Sequence, residues 1–437
     1  SGAAGGGRAR PWGAVGGRGG TMEGPWEALR AARGRLGAAF GEACAGDLEG
    51  CGAGEAADSL RGALGGAPGA AARAAGAAWA RLEGPGGWDL PCWRELYVLG
   101  QVCRAVELGA AAQAAGDAAG AREAMKCVDM AYIMGGPAEL LGEFAEGVAG
   151  LLAALEGPCS LPPEARPLPE EPPADAPTVA PEHAIPRLHC PSLEVFREEF
   201  FKQDRPVVIT GACEGWGALR KWRDLNFLVG KYGRRHVPLE VGQYYDEEWR
   251  EQGMEVREFA LRHLLHLGPE GEAAPIGYLA QHPLFEQLPA LTEDYAVPEY
   301  TAVGEFGRAC AWVGPKGTVT PCHFDSYDII LTQAVGYKFV KLFAFKDSKY
   351  LYRSRAPWVE QRKWPGSKGG GKATSLGAQG NISQVDVEKP DHERFPLFKN
   401  AHCMETVLGP GEMLYIPMRC WHHVRSLTTS ISVNFTF

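Results

Sequence analysis

The chain has 437 residues, of which 45% are hydrophobic, 22% charged and 10% aromatic. This globular mixture excludes wholesale disorder and a coiled-coil rod, and leaves room for two or three domains. A formal net charge of −9 excludes the broad basic surface of a phosphate-driven nucleic-acid binder, so no sequence-specific nucleic-acid partner is expected. The Ala-rich stretch Ala63 to Ala80 is broken by Pro68, Arg73 and glycines, no uncharged apolar run reaches a membrane span, and no membrane partner is expected.

Residues 1–22 are dominated by Gly, Ala and Arg with almost nothing to bury, which predicts a disordered segment. Their Arg-rich, acid-free composition suits either a transit peptide or a GC-rich coding bias, and Met22 stands as an alternative start. Residues 23–157 predict an Ala-rich helical domain. Trp93, Leu96, Tyr97, Gly100 and Cys103 follow helical spacing after the cap candidate Asp89. Ala121, Ala124, Met125, Val128 and Tyr132 repeat the pattern until Gly135, Gly136 and Pro137 end it, and Leu141, Phe144, Val148, Leu151 and Leu155 form a third stripe. Such stripes predict the packed core between helices, with no visible chemistry.

Gly157 to Pro186 holds ten prolines, so residues 158–184 read as a semi-rigid linker without a core of its own. Residues 185–437 are richer in aromatic and β-branched residues and predict short strands such as Pro206 to Thr210 and Tyr337 to Phe343. In the last strand Ser430, Ser432, Asn434 and Thr436 alternate with Ile431, Val433, Phe435 and Phe437, giving one polar and one apolar face. Many such strands with turns between them predict a sandwich, barrel or double-stranded β-helix, with the Gly/Lys-rich stretch Trp364 to Gly380 as a surface loop. None of the twelve cysteines forms a Cys-x-x-Cys pair, so no zinc ribbon is expected. The scattered thiols read as reduced, in the nucleus or cytoplasm.

The chemistry starts at Thr320-Pro-Cys-His-Phe-Asp-Ser326. His323 and Asp325 lie two apart, so on an extended segment both side chains leave one face. The pair alone is weak, because His-x-Asp triplets arise by chance. A second histidine changes this: Gly411 to Ile416, a turn at Pro417 and His422 would return a third ligand to the same site. Two His and one carboxylate on one face of an ion is the facial triad of non-haem Fe(II) oxygenases, with open positions for a chelating 2-oxo acid and for O2. A 2-oxo acid brings a distal carboxylate that needs a buried cation. Lys338 and Lys341 have opposite parity on one strand-like run, so one can point inward.

These segments, Ala311 to Asp325, Gly336 to Phe343, Ile382 to Glu388 and Gly411 to His422, together resemble the jumonji-C family. Further matching runs are Ile185 to Leu193, Val237 to Gly242 and Gly277 to His282. The resemblance implies an α+β multidomain chain: an N-terminal helical domain followed by a double-stranded β-helix, or cupin-like jelly roll, over 185–437. It implies use of Fe(II), 2-oxoglutarate and O2, with His323, Asp325 and His422 as metal ligands and Tyr278, Thr320 and Lys338 holding 2-oxoglutarate. Glu240, Tyr245 and Trp312 fall where the family has a substrate pocket, which suits a cationic side chain: a carboxylate takes a guanidinium bidentately and an indole offers its face to a cation. Two departures are Ile329, where the family has an asparagine near the co-substrate, and Thr436 with Phe437 in place of a tryptophan-rich ending.

The leading expectation is a protein hydroxylase acting at C3 of an arginyl residue. N-methyl-lysine (histone) demethylation by the same chemistry is the alternative, and a non-catalytic interaction scaffold is the alternative from another class. In each enzymatic case the partner is a protein presenting an arginine or methyl-lysine side chain.

Overall fold

A computed structural model describes residues 34, 42–50, 53–83, 91–242, 249–267, 275–354 and 380–437. The segment 1–22, the cap candidate Asp89, Tyr245 and the loop from Trp364 up to residue 379 lie outside the described residues.

Among the described residues the first long elements are the helices α1 (Glu42–Gly50), α2 (Gly54–Leu64), α3 (Ala70–Leu82), α4 (Pro91–Ala115), α5 (Ala118–Ile133) and α6 (Ala138–Glu156). The predicted stripes are buried, except that Leu151 and Leu155 at the end of the third are only partly so and Leu152 takes the inward position. Leu96 and Cys103 of α4, Ala121, Met125 and Val128 of α5, and Leu141, Phe144 and Val148 of α6 are at most 2% exposed. The Asp117 side chain caps α5 by accepting from the Ala119 amide. Past its C-terminus Gly135 takes φ 92°, a conformation that a side chain disfavours.

The proline-rich segment differs from the linker reading. Leu161 and Leu168 are buried in the apolar core of the β-body. The Leu161 amide donates to Asn226 Oδ1, the Leu168 amide donates to the Arg223 carbonyl, and Tyr337 donates to the Glu170 carbonyl. Proline-rich chain has few amide donors to satisfy, so it lies along a folded surface as a strap at low hydrogen-bonding cost.

The β-body contains β1 (Arg187–His189), β2 (Val207–Thr210), β3 (His236–Val241), β4 (Arg250–Glu255), β5 (Gly277–His282), β6 (Arg308–Gly314), β7 (Val319–His323), β8 (Ile329–Val335), β9 (Lys338–Phe343), β10 (Cys403–Leu408), β11 (Met413–Ile416), β12 (Trp421–Ser426) and β13 (Ser430–Thr436). They form a nine-stranded sheet, β1-β2-β11-β8-β13-β6-β5-β3-β4, facing a four-stranded sheet, β10-β9-β12-β7. Pairing is antiparallel except between β1 and β2. This is the double-stranded β-helix. The chain crosses from one sheet to the other at Gly336, where φ is 75° and a Cβ would sit 2.1 Å from the Thr429 carbonyl oxygen. Only glycine fits this turn, which delivers Lys338 to the first position of β9.

β8 and β13 are buried along their whole length. Val433 and Phe435 join the large outer core, while Asn434 turns into the space between the sheets. The polar face of β13 is thus an interior wall, and its alternation records two buried faces of different chemistry.

The helical region is bonded to the β-body through Asp129 on α5, which is fully buried. Its carboxylate accepts from Arg235 Nε and Nη2, the His236 amide and Gln287 Nε2. Gln287 Oε1 in turn accepts from His282 Nε2 at the end of β5. Asp129→Ala strands a guanidinium and two N–H donors in a dry interface. The expected loss is about 3–5 kcal/mol, read as a lower midpoint in urea unfolding, with Asp129→Asn intermediate.

Candidate active site

β7 and β12 are antiparallel neighbours, and His422 lies directly opposite His323. Their rings are 4.1 Å apart, centroid to centroid. Asp325 lies just beyond the end of β7 rather than on it, a difference from a simple extended strand. Its backbone is held by the Phe324 amide donating to the Asn381 carbonyl and the Arg419 amide donating to the Asp325 carbonyl. One Asp325 oxygen, Oδ2, is 3.7 Å from His323 Nε2 and 3.6 Å from His422 Nε2. Ligand atoms at 2.0–2.2 Å from one ion sit about 3 Å apart when adjacent, so small side-chain shifts would close this triangle on a cation.

Both imidazoles are oriented from behind. His323 Nδ1 lies 2.8 Å from the Pro321 carbonyl and His422 Nδ1 lies 3.0 Å from the Cys420 carbonyl. Each Nδ1–H donates to its carbonyl, which leaves each Nε2 lone pair free for a metal. Burial, with the neighbouring His323, lowers the His422 pKa, which favours its neutral ring. The triad is the one group of metal-ligating geometry among the described residues.

The three side chains open into a cavity that is also lined by Tyr278, Thr320, Lys338, Trp312 and Ile329. Lys338 is 2% exposed, and burial alone lowers its pKa to about 7. Among the described residues no carboxylate or other hydrogen-bond partner meets its ammonium group. A buried cation without a counter-ion is costly and calls for an anionic ligand. Tyr278 and Thr320 hydroxyls lie 3.3 Å apart beside it, and Lys341, of opposite parity, forms an ion pair with Glu405 at 3.0 Å.

Of the expected substrate-pocket residues, Trp312 lines the cavity, and its indole nitrogen is buried without a hydrogen-bond partner. Glu240 is paired opposite Tyr278 in the β3/β5 ladder, next to the cavity wall, and its charge acts on the Tyr278 phenol. Of the two departures, Ile329 lines the cavity. Thr436 sits at the far end of β13, where its hydroxyl accepts from the Arg308 amide. The sequence reading passed over Gln281, Leu331, Ile416, Val424 and Asn434, which also line the cavity. Asn434 left no distinguishing signal, because its alternation with Val433 and Phe435 is that of a half-exposed strand.

Residues 192–437 match the family described as "Cupin-like domain". The chain is 38% identical over 264 residues to "Lysine-specific demethylase 8" of Xenopus tropicalis, covering 59% of this chain and 54% of that one. It is 36% identical over 330 residues to "Lysine-specific demethylase 8" of Danio rerio, covering 72% of this chain and 74% of that one. The match to "JmjC domain-containing protein F" of Dictyostelium discoideum reaches 82% of this chain and 85% of that one at 28% identity, so it extends into the helical region. The chain thus spans about half the length of the frog relative and three quarters of the zebrafish one. A β-helix that converges two histidines and a carboxylate beside a buried lysine fits these likenesses, and the chain belongs to the cupin-like jumonji-C family of 2-oxoglutarate-dependent protein oxygenases.

Proposed function

We propose that the protein is an Fe(II)- and 2-oxoglutarate-dependent oxygenase that hydroxylates C3 of an arginyl residue in a protein substrate. The observation that carries this reading is the open His323–Asp325–His422 cluster in one cavity with the unpaired, buried Lys338. The residues suit the ion: two imidazoles whose Nδ1 atoms are held by backbone carbonyls, and one carboxylate, leave half an octahedron open. His323, Asp325 and His422 would hold Fe(II), and bound iron would supply the oxidation of the substrate C–H bond, with O2 consumed and 2-oxoglutarate released as succinate and CO2. Lys338 would neutralise the distal carboxylate of 2-oxoglutarate, with Tyr278 and Thr320 donating to its oxygens. Glu240 and Trp312, with Tyr245, would receive the guanidinium through a carboxylate and an aromatic face.

N-methyl-lysine demethylation is the second reading, favoured by the names of the frog and zebrafish relatives. A carboxylate with an aromatic face accepts a methylammonium as well as a guanidinium. Both readings place the work on a nuclear or cytoplasmic protein substrate. Mass spectrometry of arginine- and methyl-lysine-containing peptides after turnover separates them. A product heavier by one oxygen atom is expected, and a product lighter by one methylene with formaldehyde released would transfer the assignment to demethylation.

A further inference from the structure

A second cleft lies where the helical region meets the edge of the β-body. Trp79 of α3, Gln101 and Arg104 of α4 and Lys126 of α5 line one side, and His236 of β3 with Gly253 of β4 line the other. Both sides carry a polar atom with nothing to bond. Gln101 is 7% exposed, and although its side chain is hydrogen-bonded to Tyr97, its Oε1 has no partner. His236 Nδ1 is likewise buried and without a partner. Buried polar atoms left over on two walls of one cleft call for groups from outside the chain.

Charge and strand order say which groups. Arg104 Nη2 lies 2.9 Å from one oxygen of Glu123, and Lys126 Nζ lies 4.0 Å from the other, so two cations of the lining share one carboxylate. An anion is needed to balance them. β4 ends the nine-stranded sheet and, among the described residues, pairs only with β3. Such an edge presents unpaired backbone N–H and C=O groups to an extended peptide. Along β3 the half-buried His236, Pro238 and Glu240 alternate with buried Val237, Leu239 and Val241, so the first three share a face. Glu240 stands opposite Tyr278, which lines the active-site cavity. Cleft and active site thus adjoin one face of β3, with His236 and Glu240 about 13 Å apart along the strand. Resting on the reading of the chain as a protein oxygenase, we propose that this cleft binds the protein substrate a second time, at an acidic extended segment about four to six residues from the reacting side chain. A carboxylate of that segment pairs with Lys126 and Arg104, a backbone N–H donates to Gln101 Oε1, and the segment runs beside β4.

The test is fluorescence anisotropy of labelled synthetic peptides with the full chain, Mn(II) and 2-oxoglutarate. Each peptide carries one arginine, or one methyl-lysine in a matched set, in a glycine and serine background, with a pair of glutamates placed at increasing distance on either side. The tightest Kd is expected at a spacing of about four to six residues, and replacing the glutamates by glutamines is expected to remove the preference. Lys126→Glu reverses a half-exposed charge without touching the core, and it is expected to weaken the best Kd about fivefold or more. Gly76→Trp fills the cleft from α3, where an added Cβ meets no atom within 4 Å, and is expected to abolish the spacing preference. Melting temperatures of both variants check that they fold, and Lys126→Glu decides alone should tryptophan not be accommodated. A wild-type Kd indifferent to spacing overturns the proposal. So does binding by none of the peptides, or a preference that survives Lys126→Glu. Mass spectrometry of the same peptides with Fe(II) in place of Mn(II) and O2 present tests the underlying reading separately. Spacing-dependent binding without any oxidised or demethylated product defeats the oxygenase reading, whereas product formed without spacing dependence defeats the cleft assignment alone.

Discussion

His323→Ala is expected to reduce 2-oxoglutarate turnover by more than about 100-fold, the upper end of what outer-shell changes at metal sites cost, while leaving the protein folded. The ring contributes one of three ligand atoms grouped within 4.8 Å of one another, and alanine leaves a two-point site. Folding depends on the ring far less. Its Nδ1 bonds only the Pro321 carbonyl, two residues away, and its side chain keeps 17% exposure at the cavity mouth. The measurement is succinate formation with Fe(II) and ascorbate, beside thermal unfolding of the same preparation. Chelation of the wild type with EDTA is expected to reproduce the loss, and added Fe(II) to reverse it in the wild type only. Equal turnover by wild type and variant would leave the non-catalytic scaffold as the surviving account of the cavity.

The triad was legible because its residues are few, chemically distinct and tied to strand signals. Gly411 to Ile416 and the turn at Pro417 announced a strand that returns His422, and β11 and β12 form there. Parity allowed one of Lys338 and Lys341 to point inward and the resemblance chose Lys338; Lys341, on the opposite face, finds Glu405. Interior wall residues were harder to read. A strand covered on both faces looks the same in sequence as a half-exposed one when its interior face is polar, so Asn434 read as an ordinary polar position. Long-range bonding was invisible for a different reason. Asp129 sits within an apolar stripe of α5, and its partners Arg235, His236 and Gln287 lie more than 100 residues away. The proline-rich strap misled because composition reports what cannot build a core alone, not what can be laid against one.

Lys338→Met is expected to have opposite effects on stability and on co-substrate binding. In the folded chain burial brings the ammonium pKa from 10.5 to about 7, with no described carboxylate to compensate. Between those values the unfolded chain binds the extra proton, so the stability of the ligand-free protein rises with pH from about 7 to 10.5, and the penalty is largest below that window. A methionine of similar length removes the penalty, which is on the order of a few kcal/mol at 1.36 kcal/mol per pKa unit. The melting temperature at pH 7 is therefore expected to rise, by about 2–4 °C per kcal/mol, and the gap to wild type is expected to close as pH approaches 10. The same substitution strands the distal carboxylate of 2-oxoglutarate without its cation. Breaking a buried charge pair from one side costs about 3–5 kcal/mol, so the Kd is expected to weaken by about 100-fold or more. Because free Lys338 titrates near 7 and the bound dianion holds it protonated, binding at pH 8 is expected to take up a proton. Calorimetry in buffers of different ionisation enthalpy reads that uptake directly. Wild-type affinity is expected to fall about tenfold per pH unit above pH 7. A pH-independent Kd together with a destabilised methionine variant would mean that Lys338 is bonded within the protein and does not await an anion.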